Sequence, residues 1–134
     1  TGVTAGPGQL SVAFTPPTVD GGQPITGYEW SIDGTNWTAV GTTTPLVITG
    51  LPNGTGVTPR LRAVNAVGSG AVATGPSATP LAAPGAPTLG TPVPGDGQLT
   101  LPFTAGTTGG TAITNYEWST DGGQTWTTPS PAVT

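Results

Sequence analysis

The chain has 134 residues, only 6% of them charged, with two Arg, no Lys, no His and a net charge of −4. That composition argues against nucleic acid as a partner, since cations must displace phosphate counterions, and against an anionic membrane surface; no apolar run approaches the roughly 20 residues that cross a bilayer. Without Cys or His there is no disulfide framework, no thiolate chemistry and no His or Cys zinc site.

In chain order, "GQLSVAFT" (8–15) comes first, where Leu10, Val12 and Phe14 alternate with small or polar residues. A period of two predicts a strand buried on one face. "PPTVDGGQP" then reads as a loop, and Tyr28, Trp30 and Ile32 resume the alternation. The turn "DGTN" follows, then Leu46 with Ile48, the turn "LPNGTG", then Val57, Leu61 and Ala63, and the turn "VGSG". No stretch has helical periodicity. Seven short strands in about 85 residues predict antiparallel sheets stacked as a β-sandwich. The 23 Gly and 16 Pro approach the content of many disordered chains, but the ordered apolar alternation favours a packed fold.

"TPLAAPGAPT" (79–88) is rich in Pro and Ala and predicts a stiff junction. Beyond it the chain repeats itself. "GQLSVAFT" returns as "GQLTLPFT" (97–104), and "PITGYEWSIDGTNW" (24–37) as "AITNYEWSTDGGQTW" (112–126). Gln9 and Gln98 are 89 residues apart, Tyr28 and Tyr116 are 88, and Trp37 and Trp126 are 89 again. The length changes fall in loops, where insertions are tolerated. The period is too long for common solenoids and suits an array of small sandwich domains.

The segments "LSVAFTPP", "PITGYEWSIDG", "ITGLPNGTGV" and above all "RLRAVNAVGSG" resemble bacterial fibronectin type III repeats. The resemblance implies an all-β, immunoglobulin-like β-sandwich in tandem. Residues 1–80 would be one domain with its first strand clipped, 81–87 a Pro/Ala linker, and 88–134 the N-terminal half of a second domain. Some positions depart from the family. Phe14 and Phe103 stand where strand B usually has Trp, and Val57 replaces the usual corner Tyr of strand F. Pro59 falls at an inward position of a central strand, so a bulge or gap is expected there, and Pro102 raises the same problem in strand B. The second repeat lacks counterparts of "PLVITGL" and "RLRAVNA". We expect a window on a longer array; the alternative is strand complementation by a neighbouring chain.

The acids Asp20, Glu29, Asp33, Asp96, Glu117 and Asp121 form no dyad and no cluster for calcium. The expectation is therefore no catalytic residue, no cofactor and no metal. Glu29 should share an outer sheet face with Arg60 and Arg62 as a structural ion pair. Trp30 and Trp118, in phase with the tyrosines, should be core. Trp37 and Trp126 follow the turn; they either pack over the sandwich edge or stay exposed as a contact for sugar rings. "STDGGQTW" (119–126) resembles the Asp-box of sialidases and other secreted β-propeller proteins. Such an enzyme would need an Arg cluster for its substrate carboxylate, and both Arg here lie on one predicted strand. Ser31, Asp33, Gly34, Ser119, Asp121, Gly123 and Thr125 are instead read as a structural hairpin. The Asp carboxylate should accept turn N–H groups, with Gly122 and Gly123 supplying positive φ.

Three functions remain open. The first is a non-catalytic spacer of a long extracellular, cell-surface or virion protein, with neighbouring repeats as its partners. The second is a carbohydrate-binding or adhesive module. The third is an accessory spacer of a secreted glycoside hydrolase.

Overall fold

The computed structural model describes residues 2–129. These form eleven short strands and no helix, joined in antiparallel sheets consistent with a β-sandwich. The chain divides into two compact units, Thr1–Ala82 and Ala83–Thr134.

Among the described residues, the first unit has seven strands: β1 (Gly2–Gly6), β2 (Gln9–Ala13), β3 (Ile25–Ser31), β4 (Thr38–Val40), β5 (Leu46–Thr49), β6 (Arg60–Asn65) and β7 (Ala73–Thr74). They make two sheets, ordered β1-β2-β5 and β4-β3-β6-β7. Alternation sets what each sheet buries. Leu10 and Val12 on β2 and Leu46 and Ile48 on β5 join one buried cluster with Tyr28 on β3 and Leu61 on β6. The sheets therefore face each other across that cluster. Burying one such aliphatic side chain contributes about 1.5–3 kcal/mol. Phe14, just past β2, meets Tyr28 edge-on with ring centroids 4.6 Å apart, a geometry that aromatic quadrupoles favour.

Prolines interrupt the sheets. β6 starts at Arg60, directly after the buried Pro59, whose carbonyl accepts the Gly75 N–H at 2.9 Å. Before it, Val57 bridges Ala78 in a register one residue off that of β6 with β7. Pro59 thus sits in a gap between two ladders. Just before β5, Pro45 has no N–H to offer. The Thr44 hydroxyl instead accepts from the Phe14 N–H at 3.4 Å and donates to its carbonyl at 3.3 Å. Asn65 closes the β6–β7 turn. Its Oδ1 accepts the Val67 N–H at 2.9 Å, and its Nδ2 donates to the Asp20 carbonyl at 2.8 Å.

The second unit has four strands among the described residues: β8 (Thr88–Leu89), β9 (Val93–Gly95), β10 (Gln98–Thr100) and β11 (Phe103–Thr104). β9 pairs with β10, and β8 with β11, in registers that differ by one residue. Pro102 falls in the break, its carbonyl accepting the Gly90 N–H at 2.7 Å. The β9–β10 turn, Asp96–Gly97, repeats the β1–β2 turn, Pro7–Gly8, with a positive-φ Gly in second place in each. Gly85, within the 81–87 read as a linker, falls in the second unit. The Gly85 N–H already donates to the Thr107 carbonyl at 2.8 Å, which ties it to the second unit.

Candidate functional site

The chemistry-bearing residues gather on one hairpin in each unit. In the first, β3 runs into a tight turn and returns as β4, with Trp30 opposite Thr38. Ser31 is 1% exposed, and its hydroxyl accepts the Gly34 N–H at 2.8 Å while donating to Asp33 Oδ1 at 2.9 Å. Asp33 Oδ1 also accepts the Thr35 and Asn36 N–H groups, each at 2.8 Å, and Oδ2 accepts from Asn36 Nδ2 at 2.6 Å. Gly34 supplies the positive φ of 79° that the turn requires. These bonds, that from the Asn36 side chain foremost, hold the Asp33 carboxyl far below the usual carboxylate range. The Asn36 amide was not singled out in the sequence, though its place three residues after Asp33 is a signal for it.

The second hairpin is one residue longer. Ser119 Oγ donates to Asp121 Oδ1 at 2.7 Å and accepts the Gly123 N–H at 2.9 Å. Asp121 Oδ1 accepts the Gln124 and Thr125 N–H groups, each at 2.9 Å, and Oδ2 accepts the Thr125 hydroxyl at 2.5 Å. The Asp121 carboxyl is again held far below the usual range, by the Thr125 side chain first. Gly122 and Gly123 have φ of 75° and 88°. Thr125 therefore does for Asp121 what Asn36 does for Asp33. Both carboxylate oxygens of Asp33 and of Asp121 thus accept bonds from within their own turn.

On the outer face of the four-stranded sheet, Arg62 Nε donates to Glu29 Oε2 at 2.7 Å, and its guanidinium carbon lies 4.0 Å from the centroid of the Trp37 ring. Ser69, which sequence reasoning missed, donates to the same Glu29 oxygen at 3.1 Å. The Arg62 bond first, then that from Ser69, lowers the Glu29 pKa. Arg60 corrects the sequence reading, because it does not pair with Glu29. It lies opposite Ser31 at the end of β3, where its Nη1 donates to the Ile32 carbonyl at 3.1 Å. Two residues along a strand carry it past Glu29 to the turn.

The tryptophans separate. Trp30 packs partly buried against the core. Trp37 has one ring face covered by Arg62. Trp126 is 61% exposed, with its indole N–H donating to the Gly123 carbonyl at 3.1 Å. Trp118 corrects the expectation of a core residue. It is 50% exposed, because no described strand of the second unit supplies the cover that β6 gives Trp30. Among the described residues no group of three or more acidic side chains is placed to hold a metal ion. No family model matches the chain, and no curated protein matches it.

Proposed function

We propose that the chain is a non-catalytic spacer built of fibronectin type III-like repeats, in a long extracellular or surface-exposed protein such as an adhesin, a surface filament or a virion appendage. One observation carries the reading: local structure recurs with the sequence repeat. The Phe14–Tyr28 contact returns as Phe103–Tyr116 with ring centroids 4.5 Å apart. The Trp30–Thr38 pairing returns as Trp118–Thr127. The Ser–Asp turn and the two-residue β1–β2 turn return as well. The sheet orders β1-β2-β5 and β4-β3-β6-β7 fit the ABE and C′CFG layers of an immunoglobulin-like sandwich. The polar groups of both hairpins are consumed in holding the backbone, which suits a load-bearing or spacing role. An antibody raised against the first unit is expected to label the outside of intact source cells or particles. Labelling only after lysis would overturn the reading.

A glycan-binding reading draws on Trp126, whose ring is exposed and held by its own turn. Calorimetric titration with soluble oligosaccharides separates the two. The spacer reading expects no heat of binding, whereas the glycan reading expects binding that Trp126→Ala abolishes. An accessory role in a secreted glycoside hydrolase would keep the same spacer physics.

A further inference from the structure

We propose that Asn53–Gly54 is a self-modification site of the first unit, at which the Asn53 amide is converted to aspartate and isoaspartate when the loop between β5 and β6 opens. It rests on bonds within the first unit and is independent of the spacer reading.

Asn53–Gly54 is the one Asn-Gly step in the chain, and both residues are exposed. In such a step the main-chain nitrogen that follows the amide is its nucleophile. A base from water takes the Gly54 amide proton, and the nitrogen bonds to Asn53 Cγ. The Cγ–Nδ2 bond breaks, and the base returns the proton as ammonia leaves. The succinimide so formed then takes up one water. Opening at Cγ leaves aspartate, and opening at the main-chain carbonyl leaves isoaspartate, with the chain rerouted through the side chain. Glycine favours the attack, because no Cβ crowds the nitrogen and the backbone turns freely.

The fold holds both reacting groups back. The Gly54 N–H donates to the Pro80 carbonyl at 2.8 Å, which keeps its proton from a base. Asn53 Oδ1 accepts the Gly8 N–H at 2.8 Å, which keeps the side chain turned to the β1–β2 turn. The Leu51 N–H donates to the Gly8 carbonyl at 3.0 Å, and Val57 and Ala78 exchange both main-chain bonds at 2.9 Å. Leu51, Val57 and Pro80 are buried, whereas residues 52–56 are all exposed. The flanks are therefore anchored while the reacting pair faces water. Opening the loop breaks the Gly8 and Pro80 bonds and leaves the core in place, so it costs less than global unfolding. Deamidation is slow beside such opening and closing, and its rate follows the population of the open loop. The product is one-way. Aspartate adds a negative charge beside Gly8, and isoaspartate lengthens the main chain by one carbon between the Gly8 and Pro80 contacts.

The test incubates the 134-residue protein at neutral pH, folded and in urea, beside a synthetic peptide of residues 48–57. Peptide mapping by mass spectrometry follows aspartate and isoaspartate at position 53. The peptide and the urea-unfolded chain are expected to convert at similar rates, and the folded protein at least about tenfold more slowly. Hydrogen exchange of the Gly54 amide reads the same opening independently, so its protection factor should match the slowing. Pro80→Gly, which loosens the segment carrying the accepting carbonyl, should raise the folded rate and leave the urea rate unchanged. Asn53→Gln should remove the conversion from every sample. A folded rate equal to the urea rate, or a slowing far from the protection factor, would overturn the gating by the Gly8 and Pro80 bonds. No conversion in urea would overturn the site itself. Neither result touches the surface-labelling test of the spacer role.

Discussion

Tyr28–Ser31 and Tyr116–Ser119 are the same four residues, Tyr-Glu-Trp-Ser, in two settings. In the first unit they end a seven-residue strand with neighbours on both edges, and Tyr28 and Ser31 are buried. In the second, among the described residues, they make one bridge, and Trp118 is half exposed. The same contrast runs through the preceding strand, where Leu10 is fully buried and its copy Leu99 is 63% exposed. The hairpin between Ser and Trp is nevertheless built alike in both units. Turns are made by residues a few positions apart, whereas a strand exists only where a second segment accepts its hydrogen bonds.

The sharpest way to break this comparison is to truncate matched core positions. Leu10→Ala should cost about 2–5 kcal/mol, and Leu99→Ala less than about 0.5 kcal/mol, in urea unfolding followed by Trp fluorescence. Equal losses would mean that Leu99 is covered after all. Ser31→Ala should come next, at about 1–2 kcal/mol, since it orphans the Gly34 N–H beside a buried position. Ser119→Ala should cost less in the same assay, because its site is wetter.

Acid distinguishes the hairpins from the sheets. A carboxyl whose folded pKa is depressed stabilises fully above its unfolded pKa and loses that stabilisation as pH falls through the folded value. Asp33 and Asp121 are both depressed, so both turns should stay closed through the ordinary Asp range and open only in stronger acid. Indole and turn amide resonances followed during an acid titration would show this; opening within the ordinary range would contradict it. The smallest effects belong to the outer face. Arg62→Ala should lower the midpoint of thermal unfolding slightly, with the loss shrinking in high salt. Arg60→Ala should change it less, since a single bond to an exposed carbonyl is replaced by water.

The alternating residues of β2, β3 and β5 were legible because burial on one face imposes a period of two. The Ser–Asp turns were legible because their partners lie within four residues. The break at Pro59 was legible from the missing N–H alone. The sequence did not say that Thr44 would bond Phe14, that Ser69 would reach Glu29, or that Arg62 rather than Arg60 would take the carboxylate. Those depend on register between strands far apart in the chain.

By itself, the sequence determined the local devices: positive-φ glycines at the turns, carboxylates spent on backbone N–H groups, and an alternation that repeats after about 89 residues. Only the tertiary structure decided which copy of the alternation became a strand, which tryptophan was covered, and where each guanidinium went. Burial and ladder bonds are pairwise, so the same residues are core in the unit where β5 and β6 meet them and surface in the unit whose described strands do not.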